Sequence, residues 1–327
     1  MRDTIVLITD LEDDLHAKVL KSELLKRGER VVCLDPKQVA KGRLSFDITQ
    51  VSAQASILAE GADEISTKRI KSALYRRPKS IVEDERVDQD YRALAREEWS
   101  HGVEALWRIT HDECYWVSNP LNIRAADSKP YQLKVATEIG FDIPRTLISN
   151  DHKKLREFYR GAPFIVKKLR SHGIVSENKV ALFVSKLFES PDEIQEFELS
   201  LCPMIFQDFI DKSFDLRVIV VRDQAFAVRI DSQQQENTRV DYRVVQAKLL
   251  QIPHQIYELP GVLAQMCLKM IKVLGLRFGA FDFAVDHCGK YWFLELNPNG
   301  QWMWLQILTG VPIAEALCDL LASQATP

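Results

Sequence analysis

No two of the six cysteines (Cys33, Cys114, Cys202, Cys267, Cys288, Cys318) form a C-x-x-C pair, so neither a zinc ribbon nor a disulfide framework is indicated. Reduced thiols of a cytoplasmic protein are expected instead. No window approaches the roughly 20 apolar residues that cross a bilayer. The apolar run behind Met1-Arg2-Asp3-Thr4 is too short for a secretory signal. Charge of one sign is not in excess: 43 Lys and Arg against 46 Asp and Glu leave −3, with no global attraction to nucleic acid. Internal repeats, low-complexity tracts and an H-E-x-x-H spacing are missing as well, and no G-x-G-x-x-G follows the first strand.

What remains is a globular composition, 46% apolar and 27% charged, over 327 residues. That is too long for one core, since domains usually run to about 100 to 150 residues, and it fits two or three lobes. The stretch from Gly279 to Leu305 organises the rest. Asp282 lies in one apolar run, Phe281-Asp282-Phe283-Ala284-Val285, and Glu295 in a second, Tyr291-Trp292-Phe293-Leu294-Glu295-Leu296. His287-Cys288-Gly289-Lys290 between them makes the pair a β-hairpin.

A carboxylate inside a sheet is expensive to bury unless it is paired or holds a metal. Asp282, Glu295 and Asn297 offer only hard oxygen donors, which suits Mg²⁺ on nucleotide phosphates and disfavours zinc or copper. Glu295 and Asn297, two apart on an extended chain, point to one side. The competing reading is a hairpin whose acids face water. The flanking aromatics and the Asn-Pro-Asn-Gly that follows weigh against it.

This stretch resembles the carboxy-terminal metal site of the ATP-grasp superfamily, where an Asp on one strand and a Glu-x-Asn on the next hold magnesium. The longer string LELNPNGQWMWLQ resembles the graspetide maturases, ATP-grasp ligases that macrocyclise ribosomal peptides of the microviridin type. The resemblance implies an α/β ATP-grasp fold, two α+β lobes gripping ATP behind a small pre-ATP-grasp α/β domain. It divides the chain at 1–120, 121–204 and 205–327.

In chain order, Ile5 to Thr9, a helix from about Asp14 to Arg27, and Val31 to Asp35 form a βαβ unit. Leu74-Tyr75-Arg76-Arg77-Pro78 looks like the strand end found in the front domain of the family. A helix from about Arg86 to Thr110 is expected to pack Tyr91, Leu94, Trp99, Val103, Leu106 and Trp107 on the first sheet. Ser128-Lys129-Pro130 opens another helix, where Lys129 is badly placed against the dipole unless a phosphate binds there. The resemblance assigns Lys129 to the nucleotide phosphates, and likewise Lys167, at the end of the strand Phe164 to Lys168. The loop from Arg170 to Ser176 suits a flap, with Gly173 free to take positive φ and His172 a possible proton acceptor or phosphate ligand.

Ser190-Pro191-Asp192-Glu193 starts a short acidic helix running to Leu199. The resemblance makes Asp192 and Glu193 the receptor for a helical leader. The strand Met204 to Ile210 leaves the core where, by the resemblance, backbone hydrogen-bonds the adenine edge, which by position implies Gln207, Phe209 and Ile210. Arg217 either reaches the γ-phosphate or acyl phosphate, or forms a surface pair with Asp215. Arg229 and Arg243 are candidates for gripping a peptide carboxylate, because a guanidinium fork matches it bidentately. Trp302 and Trp304 fall on one side of an extended segment, and Pro312 to Leu321 forms a closing amphipathic helix.

The function implied is ATP- and Mg²⁺-dependent activation of Asp or Glu side chains in a ribosomal precursor peptide as acyl phosphates. Ser or Thr hydroxyls would then give ω-esters, or Lys amines ω-amides. A cytoplasmic homodimer acting on a precursor with a helical leader is expected, without nucleic-acid or membrane partners. Two other classes stay open, a stand-alone carboxylate-amine ligase of the same superfamily and a nucleotide-binding regulatory protein without turnover.

Overall fold

A computed structural model describes the whole chain except residues 1, 11, 170–173, 177–178, 182–184, 243–250 and 324–327. The βαβ unit is present as β1 (Thr4–Thr9), α1 (Leu15–Lys26) and β2 (Arg30–Leu34). A separate antiparallel sheet follows, β3 (Arg43–Ile48), β4 (Ala53–Leu58) and β5 (Ile65–Ser66), which the sequence reading does not contain. Next come β6 (Ile70–Arg76), α2 (Arg92–Ile109) and β7 (Tyr115–Val117), completing a parallel sheet in the order β2-β1-β6-β7.

The apolar run of β1 is buried on both faces. Ile5 and Leu7 enter one hydrophobic layer, while Val6 and Ile8 enter another with Val103, Leu106 and Trp107 of α2. Helix α2 starts later than its apolar stripe suggests, and Tyr91 and Leu94 are 62% and 55% exposed. Asp84 and Asp88 explain the late start: each accepts the amide two residues on, from Arg86 and Asp90, and so holds a turn instead.

The middle of the chain gives α3 (Pro120–Ala126), α4 (Lys129–Ile139), β8 (Thr146–Ser149), α5 (His152–Phe158), β9 (Phe164–Lys167), β10 (Ile174–Ser176), β11 (Lys179–Ala181), β12 (Lys186–Phe188), α6 (Glu196–Ser200) and β13 (Met204–Asp208). Four of these strands make an antiparallel sheet in the order β12-β9-β13-β8. One face packs Phe164, Val166 and Phe206 on Leu155 and Leu199. The alternate residues Ile165, Lys167 and Gln207 are left for the other. The acidic helix expected from Ser190 to Leu199 is broken. Pro191–Glu193 is a single 3₁₀ turn, and the His152 ring takes the carbonyls of Pro191 and Ile194 at 3.2 and 3.1 Å, so the helix restarts only at α6.

The last sheet runs β16-β15-β14-β17-β18, antiparallel throughout, from β14 (Lys212–Val221), β15 (Gln224–Ile230), β16 (His254–Ile256), β17 (Phe278–Asp286) and β18 (Tyr291–Asn297). α7 (Gly261–Val273) precedes the hairpin of β17 and β18, and α8 (Met303–Thr309) and α9 (Ile313–Ala322) follow it. One face buries Leu216, Val218, Phe281, Phe283 and Phe293 under α7 and α4. The other joins Ile219, Phe278 and Ala280 to Leu317 and Leu321 of α9 and to Leu20 and Leu24 of α1. The first sheet and the last therefore share one core. Among the described residues no helix is long and apolar enough to cross a membrane.

Trp302 is not on an extended segment. It sits immediately before α8, 1% exposed, with its ring edge-on to His16 of α1 at 4.9 Å. Burial, with the charges of Arg76 and Arg77, holds the His16 imidazole down to about 3 from its ordinary 6.5. The unfolded chain therefore takes up this proton first as pH falls, and stability is lost from about pH 6.5 downward. His16→Phe keeps the ring contact without the titration. In urea melts it is expected to gain about 2 kcal/mol on the parent between pH 7 and pH 5, and parallel pH dependences would refute this.

Candidate active site

The pairing of β14, β17 and β18 puts Arg217, Asp282 and Glu295 directly opposite one another across three neighbouring strands. Residues in register share a face, so these form one row about 5 Å from strand to strand. Charges alternate along it. Arg217 Nη1 lies 2.7 Å from Asp282 Oδ2, and Lys129 Nζ, from the first turn of α4, lies 3.1 Å from Glu295 Oε2. The Tyr242 hydroxyl donates to Asp282 Oδ1 at 3.0 Å. The Asp215 to Arg217 surface pair is not formed: both are buried, and Asp215 faces Lys212 at 2.8 Å. Burial pushes the Asp215 carboxyl up, with the Lys212 charge opposing it.

A β-bulge shapes the floor. Asp282 pairs with Glu295 but Phe283 pairs with Phe293, which leaves Leu294 as the extra residue. Strict alternation would send Leu294 or Glu295 to the core; with the bulge both line the cleft. The edge strand is then fixed between the two candidate ligands. Gln132 of α4, fully buried, accepts from Leu296 N at 2.9 Å and donates to Leu296 O at 2.7 Å, as another strand would. Beyond it the chain turns: Asn299 N donates to Asn297 Oδ1 at 3.1 Å and Gly300 N to Asn297 O at 3.2 Å.

Two carboxylates and one carboxamide are a donor set for Mg²⁺, which keeps one or two protein carboxylates and completes its octahedron with phosphate oxygens. Among the described residues no group of three or more His, Cys, Asp and Glu side chains could hold a metal by itself. The set therefore fits an ion that arrives with phosphate better than a resident one.

The cleft encloses about 610 Å³ including its open mouth. Ile165, Lys167 and Gln207 come from the middle sheet, Asp208, Phe209 and Ile210 from its exit, and Leu294, Glu295, Asp282 and Ala284 from the floor. Lys167 Nζ donates to Gln207 Oε1 at 2.7 Å, and Gln207 Nε2 donates to Thr146 Oγ1 at 2.9 Å. One part is apolar and suits a flat base; the other carries Lys167 and the two carboxylates, with Lys129 and Arg217 beside them. The Phe209 amide already donates to the Pro163 carbonyl at 3.1 Å, so it is not a donor for a base edge as the sequence suggested.

Arg229 is not brought to this site. It pairs with Leu216, one register position from Arg217, and so lies on the opposite face, over the Phe214 ring at 4.2 Å and 2.6 Å from Asp231. Asp192 and Glu193 lie on the middle lobe. Glu193 caps its own turn through Ser190 N, and Asp192 faces Arg156 at 2.9 Å. Arg243, His172 and Gly173 fall outside the described residues. Sequence reasoning missed Ile165, Lys212, Tyr242, Leu294 and Gln132. Gln132 alone had a signal, a polar residue within the apolar face of α4.

No family model matches the chain, and no curated protein does. Solved structures match along its whole length. The RiPP-associated ATP-grasp ligase of Chryseobacterium gregarium, in complex with ADP and a leader and core peptide, is 27% identical at a TM-score of 0.88, over 99% of this chain and 97% of that one. The macrocyclase MdnB of Microcystis aeruginosa is 25% identical at 0.78, over 98% and 99%. From the same organism, the macrocyclase MdnC bound with its precursor peptide MdnA shares the fold at 0.79 and 23% identity, over 97% and 99%. Over nearly its whole length, then, this protein has the fold of an ATP-grasp ligase and is similar to the ATP-grasp enzymes that macrocyclise ribosomal peptides.

Proposed function

We propose that this ligase uses ATP and Mg²⁺ to activate Asp or Glu side chains of a ribosomal precursor peptide. A Ser or Thr hydroxyl of the same peptide then closes an ω-ester, or a Lys amine an ω-amide. The observation that carries this reading is the row of alternating charge, Arg217, Asp282, Glu295 and Lys129, on the cleft floor. The ADP and peptide held by the Chryseobacterium gregarium ligase support it.

Asp282, Glu295 and Asn297 hold the magnesium, which when bound neutralises charge on the transferring phosphoryl group. Lys129 and Lys167 hold the phosphates, and Lys167 would exchange its Gln207 partner for a phosphate oxygen. Arg217 meets the γ-phosphate and then the acyl phosphate. The base lies against Ile165, Phe209, Ile210 and Leu294. The substrate carboxylate attacks the γ-phosphorus and ADP leaves; the hydroxyl or amine attacks the acyl carbon, loses its proton and expels phosphate. No enzyme nucleophile takes part, so the protein contributes position and charge. Arg243 is proposed to hold the peptide carboxylate, His172 and Gly173 to cover the phosphates, and Asp192 and Glu193 to receive a helical leader. The three domains 1–120, 121–204 and 205–327, a homodimer and a cytoplasmic setting complete the reading.

The test is mass spectrometry of a candidate precursor incubated with the protein, ATP and Mg²⁺. Loss of one water per ring with matching ADP release is expected, and mild base reopens an ester but not an amide. No ADP above background with any precursor of the matching gene neighbourhood would count against the reading. Lys167→Met is expected to raise the KM for ATP about tenfold or more, the worth of a charge-assisted hydrogen bond, while the fold is kept.

A further inference from the structure

Arg76 ends β6 in the front domain, yet its guanidinium lies in the catalytic sheet's territory. It is 3% exposed, and its Nη1 donates to the carbonyls of Asn299 at 2.6 Å and Gly300 at 3.1 Å. The nearest carboxylate, Asp14 Oδ2, is 3.5 Å from Nε. That carboxylate has other duties: Oδ1 caps α1 at His16 N, and Oδ2 accepts from the Thr9 hydroxyl at 2.9 Å. Burial drives the Arg76 pKa down to about 10, so the group stays charged at neutral pH. A buried cation supported chiefly by carbonyl dipoles is a costly choice for joining two domains, because an apolar side chain of similar volume often stabilises as well or better.

What the arginine holds is the turn that carries Asn297. Asn299 N donates to Asn297 Oδ1, so the carboxamide is oriented by the segment whose carbonyls Arg76 fixes. Arg217 grips the same segment from the other side, with Nη2 3.3 Å from the Gln301 carbonyl. A Cβ built on Gly300 would stand 2.7 Å from that Nη2, so the glycine lies directly against the second guanidinium. Residues 299–301 are thus clasped between two arginines, one from each domain. Arg76 does not line the nucleotide cleft.

We infer that Arg76 is a positioning residue for phosphoryl transfer: it fixes the turn Asn297–Gly300 and, through it, the aim of the Asn297 carboxamide and the Arg217 guanidinium. The front domain is in this sense part of the active site. The inference rests on the magnesium and nucleotide reading above, and the test keeps the two apart.

ADP affinity is measured by calorimetry with and without Mg²⁺, alongside thermal unfolding and ATP turnover, for the parent, Arg76→Met and Arg76→Lys. The parent is expected to bind ADP more tightly with Mg²⁺ than without; a parent that binds no ADP overturns the functional reading itself. Arg76→Met is expected to unfold within a few degrees of the parent and to lose most of the Mg²⁺ enhancement. Its kcat is expected to fall about thirtyfold with KM for ATP within twofold, the scale of supporting residues around metal ligands. Arg76→Lys, which keeps the charge without the fork, is expected to recover part of both. An Arg76→Met protein with parental Mg²⁺ enhancement and kcat overturns the inference. So does a loss of activity that follows unfolding and that Arg76→Lys does not relieve.

Discussion

Glu295→Gln is expected to lower ATP-dependent ring formation about a thousandfold at saturating Mg²⁺ while leaving a folded protein. Removal of one preorganised electrostatic group from a transferring centre costs about 10² to 10³ in kcat. Here the loss adds a missing ligand charge, since Mg²⁺ is held by few protein carboxylates. The amide keeps the shape of the floor. Lys129, left without its carboxylate, still has the Lys168 carbonyl at 3.4 Å, so the fold is spared. Asp282→Asn would be the poorer choice, because Asp282 faces the buried Arg217 at 2.7 Å. An uncompensated buried charge costs about 3 to 5 kcal/mol and would blur the reading. ADP release with a circular dichroism melt decides the matter, and near-parental turnover in Glu295→Gln would remove the hairpin from the chemistry.

The second large effect is at Gly300, where one added methyl group should damage both fold and turnover. An ideal Cβ there lies 2.3 Å from the Ala280 Cβ and 2.7 Å from Arg217 Nη2. Arg217 could rotate, but the Ala280 Cβ is fixed to the backbone of β17 and has no rotamer to change. Gly300→Ala is therefore expected to cost about 3 kcal/mol, the upper part of the usual overpacking range. The turn must lift away from the sheet and take Asn297 with it. A displacement of about 1 Å is enough for a hundredfold loss of turnover. Urea midpoints and ADP release on one preparation measure both, and a fully active Gly300→Ala would show that the turn's depth is irrelevant.

The hairpin was legible because its chemistry is local. Asp282 and Glu295 interrupt apolar runs, and Asn-Pro-Asn-Gly announces a turn, so a spacing of two was enough to put Glu295 and Asn297 on one face of the hairpin. Lys129 stood out because a lone cation is poorly placed at a helix amino terminus, and Lys167 because of the family pattern alone; the structure sets Lys129 beside Glu295 and Lys167 in the lining of the cleft. Arg229 misled because alternation fixes a face only relative to its strand neighbours. A register one position from Arg217 sends it to the other side, and that register depends on pairing no single strand records. Tyr242 and Leu294 reach the cleft by tertiary routes, a polar connection folded back onto Asp282 and a bulge that breaks period two. The stripe of α2 was read too long because apolar spacing says where a helix can be buried, while Asp84 and Asp88 decide where it starts.

The core shared by α1 and α9 bears on how the molecule is made. Leu20 and Leu24 meet Leu317 and Leu321, the Ser72 hydroxyl donates to the Leu321 carbonyl at 2.7 Å, and Arg27 reaches Asp319 at 2.6 Å. On a ribosome the amino-terminal part emerges first and domains ordinarily fold as they appear. The first sheet cannot finish that way, because the wall that covers one side of it, α9, is translated only after the middle and last sheets that intervene. Its greasy flank stays uncovered until α9 emerges, and chaperone demand should follow from that delay rather than from the chemistry of the site.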